Sequence, residues 1–85
     1  MADGHPNTLP LVIASVGETK FDGAAIAVTV PGSSGIMQIL PHHEAFVTTL
    51  KPGLISVKAS GGETKTFEIE SGVVECSNNK VVVLL

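Results

Sequence analysis

Apolar and polar positions alternate along most of the chain with a period of two. Clusters of Gly, Pro, Ser and Asn interrupt the apolar runs about every 8–12 residues, which is typical of an all-β sandwich or barrel. Residues two apart in a strand share one face. Two groups of side chains are therefore predicted to point to one side of their strands: Ile26, Val28 and Val30, and Ile55, Val57 and Ala59. No stretch of about ten residues has a convincing helical period.

The predicted turns separate the strands. Gly61-Gly62 predicts a two-residue hairpin, and we expect Lys58 and Lys65 to face glutamates across it. The last apolar run, Val81–Leu85, has no polar face and is predicted to be central or covered on both sides. Glycine permits positive φ and proline lacks a ladder N–H. The other predicted breaks are Pro31–Gly35, Ser71–Gly72 and Ser77–Lys80.

The N-terminal residues differ from the rest in being polar. We predict a loose tail at residues 1–8 and a single domain at residues 9–85. The whole chain has 85 residues, which fits one domain. A domain of this size buries only about 60–65% of its unfolded surface. A partner that binds only the folded form would therefore add stability.

Composition narrows the classes of partner. The chain has no Arg, Trp or Tyr, and its net charge is −3. Nucleic-acid binding needs clustered cations and stacking aromatic residues, and a membrane-bound surface needs a basic or aromatic rim, so we expect neither. No apolar run approaches the roughly 20 residues that span a bilayer, and we expect no signal peptide. The single cysteine, Cys76, fits a reducing cytoplasm and is predicted to be inert.

Three clusters suggest chemistry, and a structural interpretation is favoured for each. The range His42–Glu44 suggests a metal site, but adjacent side chains of an extended segment point to opposite faces. The range Gly32–Gly35 suggests an anion cradle, but it lacks the lysine and following helix of a phosphate loop. Ser15, His43 and a nearby glutamate suggest a triad, without a nucleophile elbow or oxyanion hole. We therefore expect no catalytic residue, metal or cofactor.

Six short motifs occur in an order that resembles one family. They are Phe21-Asp22-Gly23; Val30-Pro31-Gly32 with Gly35; Ile39-Leu40-Pro41 with His43; Thr48 with Leu50-Lys51-Pro52-Gly53; Ser71-Gly72-Val73-Val74-Glu75; and Asn79, Val81 and Val83-Leu84. Each motif is weak alone, but together they cover nearly all of the chain after the tail. The set resembles the epsilon subunit of the F-type ATP synthase.

The resemblance implies a fold and a role. The fold would be a flattened all-β sandwich of about ten short strands without a helical domain. In the family, this sandwich binds the gamma subunit on one side and the proteolipid c-ring through loops at its lower end. It turns with them, couples proton flow to ATP synthesis and performs no chemistry itself. The chain would lie peripherally at the cytoplasmic face of an energy-transducing membrane, such as the bacterial plasma membrane.

Two sets of residues match the family's contact surfaces. The resemblance implies a gamma-subunit interface at Ser15, His43, Phe46 and Thr48, and a c-ring-facing loop at Gly32, Ser33, Ser34, Gly35, Ile36 and Met37. Phe46 is also explained more simply as a core residue. We expect Ile36 to be exposed, whereas Met37 is equally compatible with contact and with the core.

The chain departs from the family in two turns. His42 stands where the family commonly has glycine, so the resemblance does not predict the backbone conformation of this turn. Ile36 stands where an acidic residue is frequent, so a polar contact to the ring would become apolar. Many members also continue into two C-terminal helices that inhibit ATP hydrolysis and, in some members, bind nucleotide. The last predicted strand ends at residue 85, so neither property is carried over.

Two alternatives compete with the rotor-subunit hypothesis. The first is a free-standing β-sandwich module that binds carbohydrate or peptide, and the lack of Trp and Tyr counts against it. The second is a cupin-type metalloenzyme based on His42 and His43. A metal measurement on protein purified without a histidine tag would test that alternative.

Overall fold

The computed structural model of the chain describes residues 7–85. Residues 1–6 lie outside the described residues, and so does most of the tail predicted at residues 1–8. The described residues form strands and turns without a helix. The strands are β1 (Leu9–Ser15), β2 (Glu18–Gly32), β3 (Gly35–Ile39), β4 (Phe46–Leu50), β5 (Gly53–Ala59), β6 (Thr64–Ile69), β7 (Gly72–Ser77) and β8 (Lys80–Leu84). The predicted all-β class is confirmed.

The strand β2 connects the two layers of the sandwich. Its first half pairs with β1, and its second half pairs with β3 and β5. Its last residue, Gly32, pairs with Leu50 at the end of β4. One strand of 15 residues thus serves both layers, and residues 7–85 contain eight strands instead of about ten.

One layer of the sandwich consists of four neighbouring strands and part of a fifth. In this layer the strands lie in the order β4, β7, β8 and β1, with the first half of β2 beside β1. β8 runs parallel to β1, whereas β4 and β7, and β7 and β8, are antiparallel. The second layer contains β3, the second half of β2, β5 and β6.

A β-bulge in β2 corrects the predicted inward face of this strand. The register to β5 shifts between Ala25 and Ala27. A bulge inserts one extra residue and so exchanges the two faces of the strand beyond it. Ala25, Val28 and Val30 are buried as a result, whereas Ile26 is only half-buried. The prediction that Ile26 shares the core face with Val28 and Val30 is therefore wrong.

The core consists of apolar side chains from both layers. Among residues 7–85, no polar or charged residue is buried. The buried members are Leu9, Leu11, Ile13, Ala25, Val28, Val30, Ile39, Leu50, Ile55, Val57, Ile69, Val74, Cys76, Val81 and Val83. Phe21, Phe46 and Phe67 pack against this core while remaining partly accessible.

The closing strand β8 is central in its layer but is covered on one face only. β1 and β7 flank it on either side. Val81 and Val83 point into the core, whereas Leu84 is 57% exposed. The prediction of a central strand is confirmed, and the alternative that both faces are covered is wrong, because the second layer covers only the inner face.

The β5–β6 hairpin also differs from the expectation. The N–H of Ala59 donates to the carbonyl of Glu63, so three residues form the loop, and Gly62 supplies the positive φ of +94°. Lys65 pairs with Val57, and Lys58 pairs with Thr64. The predicted lysine–glutamate pairs across the hairpin are therefore wrong, because the apolar register determines which residues face each other.

Candidate docking surfaces

The predicted ring-facing loop is a tight hairpin between β2 and β3. Pro31 pairs with Ile36, and Gly32 pairs with Gly35, so only Ser33 and Ser34 lie outside the ladder. The predicted Pro31–Gly35 break is therefore present but shorter than expected, because β2 extends to Gly32 and β3 begins at Gly35. Gly35 adopts a φ of +138°, a backbone conformation that residues with a Cβ atom rarely adopt.

The same hairpin is attached to the end of β4. The Ser33 backbone N–H donates to the carbonyl of Thr49 at 3.0 Å. The Ser33 hydroxyl also donates to that carbonyl at 3.0 Å and lies 2.6 Å from the Thr49 hydroxyl. The N–H of Lys51 donates to the Pro31 carbonyl at 2.9 Å. These bonds join two strand ends and hold the loop in one orientation.

Ile36 and Met37 have different surroundings within this loop. Ile36 is 78% exposed, as expected from the sequence. Met37 is half-buried against the core, and a Cβ built on Gly32 would lie 3.3 Å from its sulfur. The apolar tip of the hairpin is therefore Ile36, and Met37 supports it from the inner side.

His43, Phe46 and Thr48 lie close together at the start of β4. The rings of His43 and Phe46 meet edge to face, with their centroids 5.1 Å apart. The His43 Nδ1 lies 2.9 Å from the Glu44 carbonyl oxygen. Phe46 and Thr48 are half-buried, whereas His43 is exposed. These three residues form a small surface at the accessible margin of the sandwich.

Ser15 lies apart from the other three residues of the predicted gamma interface. Thr48 pairs with Val74, Val74 with Val83, and Val83 with Ile13. Three strand spacings of about 4.8 Å therefore separate β4 from β1. Ser15 extends beyond Ile13 toward one end of the layer, whereas His43 precedes Phe46 at the other end. The structure thus brings three of the four residues together and leaves Ser15 at a distance.

His42 adopts a left-handed backbone in its turn although it is not glycine. The N–H of His43 donates to the Leu40 carbonyl at 3.2 Å, with Pro41 and His42 as the central residues. His42 adopts a φ of +66°, as the third residue of a type II turn requires. Its N–H donates to the Asn79 Oδ1 at 2.6 Å, which attaches the turn to the β7–β8 hairpin.

Asn79 also contacts the start of β1. Its side-chain nitrogen donates to the Thr8 carbonyl at 3.2 Å. Both Asn78 and Asn79 adopt positive φ, at 50° and 56°, as the predicted Ser77–Lys80 turn requires. One asparagine side chain therefore joins the N-terminal strand, the His42 turn and the last hairpin.

The described residues do not assemble catalytic or metal-binding geometry. No group of three or more His, Cys, Asp or Glu suited to a metal ion occurs in residues 7–85. Ser15 and His43 lie at opposite ends of their layer, so the hypothetical triad is not assembled. Burial raises the pKa of the Cys76 thiol above its ordinary value of 9.0, which disfavours the reactive thiolate. No helix of the described part is long and apolar enough to cross a membrane.

A further surface was missed by sequence reasoning. The exposed apolar residues Val47, Val73 and Leu84 lie on the outer side of β4, β7 and β8. Val73 pairs with Leu84 directly, and Val47 pairs with Glu75 two positions along β7. β8 carries apolar residues on both faces, and β4 and β7 each carry a valine on the outer face, which was the available signal. The period of two could not show which face the second layer would cover.

Comparison with protein families gives a match over nearly the whole described chain. The model of the ATP synthase, Delta/Epsilon chain, beta-sandwich domain matches residues 8–85. An ATP synthase epsilon chain of Delftia acidovorans is 33% identical over 78 residues, which cover 92% of this chain and 56% of the relative. One of Bordetella petrii is 37% identical over 78 residues, covering 91% of this chain and 55% of the relative. The chain thus spans just over half the length of these relatives.

Solved structures give the same fold. A chain in the Euglena gracilis mitochondrial ATP synthase (OSCP/F1/c-ring, rotational state 1) matches with a TM-score of 0.86 at 25% identity, covering 99% of this chain and 54% of that chain. A chain in the central stalk/c-ring of the Tetrahymena thermophila mitochondrial ATP synthase matches with a TM-score of 0.73 at 16% identity. That match covers 88% of this chain and 60% of the other, and it supports the fold alone.

Proposed function

The chain belongs to the ATP synthase delta/epsilon family, of which it contains the β-sandwich domain, and from this we propose that it is a non-catalytic rotor subunit. It docks on the gamma subunit and on the proteolipid c-ring of a proton-transporting F-type ATP synthase. By holding the two together it couples proton flow to ATP synthesis. The observation that carries the proposal is the family match over residues 8–85.

The geometry of the β2–β3 hairpin supports contact with the ring. A coupling element has to transmit torque, so its contact loop has to keep its position under load. The two bonds from Ser33 to the Thr49 carbonyl hold this hairpin to a neighbouring strand. The exposed side chain of Ile36 then offers the ring an apolar contact, where many relatives offer a carboxylate.

The surface around His43, Phe46 and Thr48 supports contact with gamma. Partly accessible aromatic residues are common at protein interfaces, and Phe46 is held between the core and the His43 ring. Ser15 lies at the opposite end of the same layer. If gamma contacts all four residues, the interface spans the full width of this layer.

The proposal includes a place in the cell. The subunit lies peripherally at the cytoplasmic face of an energy-transducing membrane, such as the bacterial plasma membrane, as part of the complex. In this proposal the subunit acts by binding its partners and not by catalysis.

An NMR titration of the labelled chain with its cognate gamma subunit tests the proposal. We expect saturable shifts at Ser15, His43, Phe46 and Thr48. Thr48→Arg should weaken gamma binding, because a long cation replaces a half-buried hydroxyl. Thr66→Arg is the matched control, since Thr66 is exposed on β6 in the other layer.

Two results would contradict parts of the proposal. Unchanged affinity of a folded Thr48→Arg variant would remove Thr48 from the interface. Absence of binding at micromolar gamma, with a well-dispersed spectrum, would contradict gamma docking. In that case a carbohydrate and peptide screen would test the alternative binding-module hypothesis.

A further inference from the structure

The strand β6 is an edge of the second layer. Within residues 7–85, β6 pairs with β5 alone. At the start of this ladder the Ala59 N–H donates to the Glu63 carbonyl at 2.8 Å. Hydrogen-bonded pairs alternate along an antiparallel ladder, so the odd-numbered residues of β6 bond to β5. The backbone N–H and C=O groups of the even-numbered residues point away from β5. These residues, Thr64, Thr66 and Glu68, are called the free edge of β6.

A free edge of this kind is a template for pairing with another strand. The sequence of β6, Thr-Lys-Thr-Phe-Glu-Ile, contains no Pro or Gly and is rich in β-branched and aromatic residues, which favour strands. All three residues of the free edge are exposed. A second copy of this chain presents the same edge, so the two edges would pair unless a side chain prevents it.

One charged residue of β6 lies on the side of the strand that packs into the core. Alternation along the strand places Lys65, Phe67 and Ile69 on the same side. Ile69 is buried, and Phe67 packs against the core. Lys65 pairs with Val57, which is fully buried. The lysine thus occupies an inward-facing position of the strand, although the residue itself is exposed.

The Lys65 side chain reaches across the gap between the two layers. Its Nζ lies 5.7 Å from the centroid of the Phe21 ring, which belongs to the first half of β2 in the other layer. The rings of Phe21 and Phe67 meet edge to face, with their centroids 6.4 Å apart. A lysine can cover apolar surface with its aliphatic stem while its ammonium group stays in water. Lys65 therefore closes this side of the sandwich and keeps its charge solvated.

Pairing of two copies through the free edge would remove that ammonium group from water. Two-fold antiparallel pairing places Thr66 opposite either Thr66 or Glu68 of the second copy. Lys65 then lies opposite Phe67 of the second copy in the first register and opposite Ile69 in the second. Both registers bring the ammonium group onto the inner side of a joined sheet, among apolar side chains. A buried charge without a partner strongly destabilises such an assembly.

We propose that Lys65 prevents β6 from pairing with β6 of a second copy and so keeps the chain from associating edge to edge. Inward-pointing charges protect the edge strands of natural sheets in this way. The monomer leaves the charge in solvent, whereas the edge-to-edge dimer would bury it. This role is separate from docking on other subunits, and the inference does not depend on the proposed function.

Matched lysine substitutions in the 85-residue chain test the inference by sedimentation velocity over a range of concentrations. Lys65→Val removes the charge and supplies a β-branched side chain, so self-association should strengthen by about tenfold or more. Lys58→Val is the control, because Lys58 is exposed on β5 opposite Thr64 and the variant makes the same chemical change. Lys65→Arg keeps the cation. Both of these variants should self-associate as weakly as the wild type.

Amide hydrogen exchange identifies the surface through which Lys65→Val associates. The amide protons of Thr64, Thr66 and Glu68 point to the free edge, so their exchange should slow by about tenfold or more on association. Lys65→Thr repeats the test with an uncharged polar side chain and should behave in the same way.

Three results would overturn the inference. The first is a folded Lys65→Val variant that associates no more strongly than Lys58→Val. The second is association of Lys65→Val without slower exchange at the three amides of the free edge. The third is a wild-type chain that already dimerises with these amides protected.

Discussion

Gly32 is the position where one added methyl group should distort the ring-facing hairpin. A Cβ at this residue would lie 2.8 Å from the Gly35 carbonyl oxygen. Real Cβ atoms essentially never come closer than 3.0 Å to another heavy atom. The oxygen belongs to the backbone of a hairpin attached to Thr49, so it cannot move away as the end of a flexible side chain would. Gly32→Ala should therefore destabilise the fold.

The magnitude follows from two opposing effects. Overpacking costs about 1–3 kcal/mol, and the loss of glycine's freedom in the unfolded chain returns about 0.4–1 kcal/mol. Taken at the middle of these two ranges, the net loss in unfolding free energy is about 1.3 kcal/mol. An unfolding entropy of about 2.1 cal/mol/K per residue converts 1 kcal/mol to roughly 6 °C of Tm for a chain of this length. We expect the Tm to decrease by roughly 7 °C.

Gly61→Ala is the matched control. A Cβ at Gly61 would meet no atom within 4 Å, and its φ is not positive. The same methyl group should then raise the unfolding free energy by about 0.4–1 kcal/mol through the unfolded state alone. The opposite signs of the two glycine substitutions separate a steric effect from a general effect of alanine.

Thermal and urea unfolding followed by far-UV circular dichroism measure both variants. The urea m-value should stay near that of the wild type, at about 1 kcal/mol/M for a small domain. A Gly32→Ala variant with a Tm equal to or above the wild type, at unchanged m-value, would show that the hairpin backbone moves without cost. That result would also contradict the view that the ring-facing loop is rigid.

Four further predictions concern the turns and the buried thiol. His42→Gly should raise the unfolding free energy by up to about 1 kcal/mol. Glycine removes the strain of the left-handed backbone, and this gain exceeds the entropy that glycine adds to the unfolded chain. A lower Tm of the variant would show that the imidazole stabilises the fold by more than the backbone strain destabilises it. Asn79→Gly keeps the positive φ but loses the side-chain hydrogen bonds to His42 and Thr8. The unfolding free energy should therefore fall by about 1–3 kcal/mol. An unchanged urea midpoint would contradict this prediction. Cys76 should react with a thiol reagent at pH 8 only as fast as the fold opens, and rapid labelling of the native chain would oppose its burial. Because burial raises the folded-state pKa of Cys76 above 9.0, the unfolded thiol ionises first, and stability should fall as pH rises above about 9.

The local signals of the chain predicted the elements well. The period of two and the turn residues depend on neighbours in sequence, and they indicated an all-β fold with a positive-φ turn at Asn78 and Asn79. The motif order indicated the family that the comparisons then showed. The exposure of Ile36 followed from its place at a hairpin tip.

Contacts between distant segments decided the remaining features. The bulge near Ile26 arises where β2 passes from one layer to the other, and such a crossing leaves no local signature. The separation of Ser15 from His43 depends on the order of β1, β8, β7 and β4, which a single strand does not encode. The same order places Val47, Val73 and Leu84 together on the solvent side of this layer.

The sequence by itself determined which segments become strands, where the chain turns and that no helical period is present, because these properties depend on residues a few positions apart. Only the tertiary structure decided which face of each strand is covered. A strand such as β8 is apolar on both sides, so its own residues satisfy either orientation equally. The second layer covers Val81 and Val83 and leaves Leu84 in solvent, and that choice creates the surface available to a partner.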